Sequence, residues 1–229
     1  MTSLAAQRVL QVLTAIATIV VIIGISVAVF VNPIWVTYEQ DRSAVDRLTG
    51  YSSAEVHRIT GSILSDLVFG PPNFDVQDAS GTLVLDGRER SHMADVRSVM
   101  MRLGGIALGC AALLLAIALA WKSGRRRFWQ AMSTGAWFLV AGVIVVGLGF
   151  VLFFEQAFEL FHQLFFPPGS YDFNPASERL VQLFPDQFWS DTSVAVAFVV
   201  LLLAIGVALG AGRLARREAA KPVAPEGAV

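Results

Sequence analysis

The sequence is poor in charge and almost without cysteine. Only 15% of its 229 residues are charged, against roughly 25% in soluble domains, whereas 55% are hydrophobic. The formal net charge of −1 provides no broad basic field for nucleic acid, so we predict no nucleic-acid partner. A single cysteine, Cys110, excludes an intramolecular disulfide and argues against a thiol relay. This balance is typical of a membrane protein.

Four apolar runs are each long enough to cross a bilayer, whose hydrocarbon core of roughly 30 Å needs about 20 helical residues. The first run is too long for the core of a signal peptide and continues into Asn-Pro-Ile-Trp, so we interpret it as a retained helix. We therefore predict an all-α membrane protein with four transmembrane helices and a small extracytoplasmic α+β cap. The predicted spans are residues 9–31, 99–121, 132–154 and 192–214.

Basic residues predict how the chain is oriented in the membrane. The loop "KSGRRRFWQ" carries four basic residues, and the end of the fourth run with the segment after it carries four more. The stretch between the third and fourth runs has only Arg179 among six acids. The positive-inside rule then places both termini in the cytoplasm, and the polar tail is predicted to be disordered. The predicted cytoplasmic parts are residues 1–8, 122–131 and 215–229, and the predicted extracytoplasmic parts are 32–98 and 155–191.

The outward segments are predicted to fold into the cap. In "YSSAEVHRITGSILSDLVFG", Ser52 and Glu55 have the spacing of a capping box and apolar residues recur at helical spacing. This pattern predicts an amphipathic helix against the membrane surface or a small core. The short runs "FDV" and "TLVL" flank "QDASG", which predicts a hairpin.

Two polar stripes are predicted at the outer ends of the second and third helices. Asp86 followed by Glu89 suits a helix start, so the second helix should begin above the membrane. Spacings of three or four residues align each stripe on one helix face. The stripes are Glu89, His92, Asp95, Val99 and Arg102 on the second helix, and Glu155, Glu159 and His162 on the third.

Residue counting predicts that His92 and His162 lie at the same level. The two helices should form an antiparallel hairpin around Arg126, with His92 34 residues before it and His162 36 residues after it. At 1.5 Å of rise per residue the levels differ by roughly 3 Å. Rotation about each axis is left open. Histidine can act as a general base near neutral pH; the third histidine, His57, has no evident partner and is interpreted as a surface residue.

Two stretches of the chain resemble the bacterial lipoprotein intramolecular transacylase family. "RERSHMADVRS" is similar to that family's E-x-x-H-M-x-D-V-[KR] segment. "FELFHQLFFPPGSYDFNPASERLVQLFPDQFW" is similar to its F-H-x-x-F-F motif, followed by D/N-P and L-F-P-x-x-F-F. Length, motif order and the four spanning helices agree over nearly the whole chain. The chain departs from the pattern at Tyr171, where the family has tryptophan, at Trp189, where it has phenylalanine, and around Glu178 and Arg179.

The resemblance implies an enzyme and a substrate. The sn-2 acyl chain of a diacylglyceryl-modified N-terminal cysteine would move to that cysteine's own α-amino group, at the outer face of the membrane. Both reacting groups belong to one lipoprotein molecule, so no nucleophilic side chain and no metal or other cofactor is predicted. The expected partners are the lipoprotein and membrane lipid, and the oligomeric state is left open.

We predict His162 and His92 as the catalytic pair. His162 would accept the amine proton, while His92 would protonate the departing oxygen or stabilise the oxyanion, and the two roles are exchangeable. The predicted supporting residues are Glu89 or Asp95 beside His92 and Glu155 or Glu159 beside His162, with Arg102 and Phe161 binding substrate.

Three other classes of protein stay open at this point. A membrane haem protein could use the two histidines as axial ligands. A zinc hydrolase would need a third ligand, for which Glu89, Asp95 or Glu159 would serve, but the sequence has no H-E-x-x-H spacing. A non-catalytic sensor or scaffold would use its histidines only to sense pH.

Overall fold

The computed structural model describes residues 3–221, which are mostly helical. Four helices are long and apolar enough to cross a membrane, and the protein is a multi-pass membrane protein. The helices are α1 (Leu4–Phe30), α2 (Pro33–Arg42), α3 (Val45–Thr49), α4 (Ser53–Val68), α5 (Gly87–Ala120), α6 (Arg125–Leu152), α7 (Phe154–Phe165), α8 (Arg179–Leu183) and α9 (Asp186–Ala219), with a 3₁₀ turn at Lys122–Gly124.

The described residues divide into two compact units. Unit 1 comprises residues 3–25, 106–144 and 199–221, and unit 2 comprises residues 26–105 and 145–198. The long helices α1, α5, α6 and α9 each contribute to both units. The candidate residues of both polar stripes fall in unit 2.

Small residues allow the helices of unit 1 to pack closely. A Cβ atom on Gly135 would lie 2.5 Å from the carbonyl oxygen of Ala15, so the backbones of α6 and α1 are in direct contact there. The Ser133 hydroxyl donates a hydrogen bond of 2.8 Å to the carbonyl of Ala208, which joins α6 to α9. Such close approach through Gly, Ala and Ser is characteristic of helices in lipid.

Unit 2 has its own hydrophobic core, centred on α4. The Ser52 side chain accepts a hydrogen bond from the Glu55 amide, which confirms the predicted capping of this helix. The apolar stripe of α4 is buried in a small core rather than spread on a membrane surface. The buried members of this core are Val45, Val56, Ile59, Ile63, Leu67, Phe74, Val76, Val84, Leu85, Met93, Leu180 and Leu183.

The predicted hairpin is absent, and the α+β description of the cap is wrong. Within residues 3–221 no strand is present, and Gln77 and Leu83 form only an isolated antiparallel bridge. The Asp78 carboxylate accepts hydrogen bonds from the amides of Ser80 and Thr82, which stabilises a tight turn. Phe74 has φ of 52°, a left-handed conformation that interrupts extended backbone. The cap is therefore helices joined by turns.

Two helix ends differ from the sequence-based expectation. The third apolar helix stops at Leu152, Phe153 leaves the helical conformation, and a separate α7 carries His162. At the other end of the chain, residues 215–219 continue α9, although disorder was expected from 215 onward. The last eight residues of that predicted disordered tail, 222–229, lie outside the described residues, as do residues 1–2 of the predicted cytoplasmic N-terminus.

Helix α2 contains a fully buried carboxyl group, Glu39. Within residues 3–221 neither of its oxygens accepts a hydrogen bond, and Arg42 approaches only to 4.0 Å. Desolvation raises the pKa of Glu39, the neighbouring Asp191 carboxyl raises it further, and Arg42 lowers it in part. Folding therefore favours the protonated acid.

The buried acid makes stability depend on pH. Because the pKa of Glu39 is higher in the folded than in the unfolded chain, its contribution is most favourable below the unfolded pKa and is lost as the pH rises through the folded pKa. Glu39→Gln, which mimics the protonated acid, should raise Tm in detergent at about pH 8 and change it little at about pH 4. The exposed control Glu155→Gln should leave Tm unchanged at both values. A Glu39→Gln variant less stable than wild type at high pH would contradict this account.

Candidate functional site

His92 lies in the second turn of α5, close to the helix start. The Asp86 side chain accepts hydrogen bonds of 2.8 Å from the amides of Arg88 and Glu89, and the Glu89 carboxylate accepts one of 2.7 Å from the Asp86 amide. This reciprocal capping box confirms the predicted helix start. The His92 side chain, one turn further on, is buried, and its Nδ1 has no hydrogen-bond partner within residues 3–221.

His162 lies in the last turn of α7 and is held by backbone. Its Nδ1 is 2.8 Å from the carbonyl oxygen of Phe158, one turn earlier. Since a carbonyl can only accept, Nδ1 carries the proton, and in the neutral ring Nε2 is left with a free lone pair. The half-buried imidazole is thus oriented with an acceptor nitrogen available for another group.

The two imidazoles face one another. Their ring centroids are 6.1 Å apart and their planes differ by 23°. The predicted common level of the two histidines is confirmed, and the structure supplies the rotation that residue counting left open. A substrate group placed beside one ring is therefore within reach of the other.

Aromatic side chains surround the histidine pair. The buried Phe166 contacts both rings, at 4.8 Å from His92 and 5.5 Å from His162. Phe158 packs against His162 at 4.3 Å. The predicted substrate-binding residue Phe161 lies 5.5 Å from His162, and 44% of its side chain is exposed. The side chains around the two imidazole rings are thus mostly apolar, and Phe161 is exposed at the edge of the site.

The segment 167–178, here called the strap, covers the site. The Tyr171 ring lies 5.0 Å from the His162 ring and is tilted by 36° to it, and Phe173 meets His92 edge-on at 5.4 Å. Arg88 places its guanidinium 4.8 Å above the Phe173 ring and pairs with Glu178 at the end of the strap. Desolvation and the nearby Glu159 carboxylate raise the pKa of the Tyr171 phenol, so this hydroxyl stays protonated and donates to Glu159 at 3.3 Å.

Two of the acids predicted to orient the histidines, Glu89 and Glu159, form hydrogen bonds with other groups instead. Glu89 has no hydrogen bond to His92: one oxygen caps α5, and the other accepts 2.6 Å from the amide of Leu180. Glu159 bonds Gln163 and Tyr171 rather than His162. Glu89 thus bonds backbone amides at the starts of α5 and α8, and Glu159 bonds a side chain one turn further along α7 and the phenol of the strap.

Three other predicted site residues make no hydrogen bond to the pair in the described part of the chain. Within residues 3–221 no hydrogen bond joins Asp95 or Glu155 to either histidine, and Arg102 is exposed without an ion pair. His57, interpreted above as partnerless, pairs with Asp41 at 2.8 Å. No group of three potential metal ligands occurs among the described residues.

Sequence reasoning missed the groups that hold the site together. Arg97, inside the "RERSHMADVRS" stretch, donates to the carbonyls of Asp66 and Gly70 and so fastens the end of α4 to α5. The sequence offers no signal for this contact, because the two carbonyls lie 31 and 27 residues earlier in the chain, at the end of a different helix. Phe173 offers no signal either, because the strap has no periodic pattern.

Comparison with known proteins gives one family. The model of the family described as "Lipoprotein intramolecular transacylase Lit" matches residues 12–189. An uncharacterized protein from Aquifex aeolicus is 37% identical over 65 residues, which are 28% of this chain and 30% of that protein. The chain thus spans less than a third of this relative in the match.

Solved structures share the fold. The lipoprotein intramolecular transacylase Lit from Bacillus cereus, solved in meso, superposes with a TM-score of 0.79 at 18% identity, over 94% of this chain and 98% of that one. A structure of the same protein with a histidine replaced by arginine gives 0.73 at 18% identity, over 93% of each chain. At this identity the likeness concerns the architecture, which both proteins build from helices in the membrane.

The Glu89 contacts can be tested by substitution. Glu89→Ala would leave the buried amide of Leu180 unpaired, so we expect a loss of about 1–3 kcal/mol of folding stability. The control Glu159→Ala removes contacts of an exposed side chain and should cost less than about 0.5 kcal/mol. Thermal unfolding in one detergent compares the two. Equal Tm values would contradict the structural role assigned to Glu89.

Proposed function

The chain belongs to the lipoprotein intramolecular transacylase family, and from this we propose that it moves the sn-2 acyl chain of a diacylglyceryl-cysteine lipoprotein to the cysteine's own α-amino group. The observation that carries the proposal is the facing pair His92 and His162 among aromatic side chains. Family membership favours this reaction over the haem, zinc and sensor alternatives. The product would be the lyso form of the lipoprotein.

His162 is the proposed base. The Phe158 carbonyl holds Nδ1–H, so Nε2 can accept the proton that the α-amine loses when its nitrogen attacks the ester carbonyl. As the N–C bond forms, the carbonyl oxygen becomes an oxyanion. Positioned general bases contribute about 10²- to 10⁴-fold to such rates.

His92 is the proposed donor to oxygen. Burial without a partner at Nδ1 favours the neutral ring, whose N–H can stabilise the oxyanion or pass a proton to the glycerol oxygen as the C–O bond breaks. The proton that His162 took up then passes to His92, which returns both rings to their starting protonation states. Amine and ester become amide and alcohol without net charge change, which suits an apolar site.

The exposed face of α7 is the proposed contact with lipid. Leu160, Phe161, Leu164 and Phe165 are all exposed on this short helix, whereas Glu155, Glu159 and His162 follow one another along its polar side. An amphipathic helix of this kind lies in a membrane interface. Acyl chains of the substrate would pass along Phe161 to reach the histidines, on the extracytoplasmic side that the positive-inside rule predicts.

Mass spectrometry of a lipoprotein tests the reaction. The N-terminal peptide of one lipoprotein would be taken from cells that lack other N-acylating enzymes, with and without this protein. We expect an isomer of equal mass with one acyl chain on nitrogen and one on glycerol, because the transfer is intramolecular. An unchanged diacylglyceryl peptide, with the protein present and folded in the membrane, would reject the proposed function.

Histidine variants test the assigned roles. His162→Ala and His92→Ala should each lower the rate of N-acylation by at least about 100-fold, because each removes a proton-transfer group. His57→Ala is the matched control, since it removes a histidine that pairs with Asp41 outside the site, and should keep wild-type activity. Melting curves check that all three variants are folded. Full activity in His162→Ala would refute the base assignment.

A further inference from the structure

Unit 1 contains a groove that the proposed reaction does not use. It lies between α1 and α6 and has a volume of about 410 Å³, within the range of ligand sites, about 300–1,000 Å³. The close contact of Gly135 with the backbone of Ala15 forms part of its lining. Apolar side chains of Val12, Ile16 and Phe138 also line it.

The groove lies where only an apolar group can fill it. Val12, Ile16 and Phe138 are 57%, 52% and 70% exposed, and all three belong to predicted transmembrane spans. Water has no place against such side chains in a bilayer core. From residue 11 to 19 on α1, and from 130 to 138 on α6, the groove runs roughly 12 Å, close to the roughly 15 Å thickness of one leaflet. A single acyl chain matches this length.

One end of the groove is polar. Gln11 and Gln130 line it, one on each helix, and within residues 3–221 no hydrogen bond occupies either side-chain amide. On each helix the glutamine is the first residue that lines the groove. Because α1 and α6 both begin on the predicted cytoplasmic side, the two glutamines lie at the same end of the groove. A headgroup above the acyl chain would meet these two amides.

Arginines continue the two groove-lining faces beyond the glutamines. Arg8 precedes Gln11 by three residues on α1, and Arg127 precedes Gln130 by three on α6, so each lies on the same helix face. Both are exposed, and no ion pair joins either to an acid within residues 3–221. By contrast, the neighbouring Arg125 is paired with Glu218 at 3.7 Å. Two unpaired cations thus flank the polar end.

We propose that this groove binds an anionic phospholipid of the cytoplasmic leaflet, with one acyl chain between α1 and α6 and the phosphate near Arg8 and Arg127. Basic pockets between helices on the cytoplasmic side recognise anionic headgroups in this way. A second copy of the chain is a poorer occupant, since two copies joined side by side through this groove would bring their arginines together. The inference goes beyond the proposed acyl transfer and does not depend on the histidines.

Lipid retention in native mass spectrometry tests the site. The full chain would be released from detergent micelles after addition of phosphatidylglycerol or, separately, phosphatidylcholine with the same acyl chains. We expect one retained phosphatidylglycerol per chain, and weaker retention of phosphatidylcholine. Arg8→Gln with Arg127→Gln should weaken phosphatidylglycerol binding by roughly 30-fold, given about 1 kcal/mol for each cation. Arg125→Gln is the matched charge control and should change retention little.

A second variant tests the acyl chain separately from the headgroup. Ile16→Trp fills the groove and should abolish retention of both lipids. Leu108→Trp is its control, because Leu108 is 74% exposed and does not line the groove. Equal retention in wild type and Ile16→Trp, or no preference for phosphatidylglycerol, would overturn the proposal. A wild-type dimer that Ile16→Trp converts to monomer would also overturn it, in favour of a second copy as the occupant.

Discussion

The Glu89 carboxylate joins two backbone amides from distant parts of the chain. One oxygen accepts from Asp86 at the start of α5, and the other from Leu180 at the start of α8. Because the carboxylate is 2% exposed and its bond to Leu180 is buried, losing that bond would leave the Leu180 amide without solvent. The same side chain therefore fixes the turn before His92 and the end of the strap. The site depends on this one buried group.

The surroundings of the histidine pair determine what chemistry it can do. Phe166, Phe173 and Tyr171 orient the rings by packing, and a backbone carbonyl rather than a carboxylate selects the His162 tautomer. Within residues 3–221 neither ring is hydrogen-bonded to a carboxylate. In the proposed mechanism the two imidazoles relay a proton between nitrogen and oxygen of a bound substrate. The reaction proposed above needs that relay and no lasting charge.

The sequence predicts the relative levels of helix residues well and their hydrogen-bond partners poorly, for physical reasons. Because the rise per residue of a helix is constant, the relative level of His92 and His162 is predictable across about 70 residues, although α7 is separate from α6. The role of Glu89 was ambiguous because the same spacing suits a capping box and a contact with His92. In the structure the carboxylate bonds the unpaired amides at helix starts. The strap and the turn at Phe74 depend on tertiary contacts that no periodicity encodes.

The predicted orientation and the proposed lipid binding rest on the same arginines. The positive-inside rule uses the basic loop before α6 to place it in the cytoplasm, and Arg127 of that loop also continues the face of the groove. An anionic lipid held there would add to the attraction that keeps this end on the cytoplasmic side. The charge pattern that predicts the orientation of the chain is therefore the same pattern that the proposed lipid would bind.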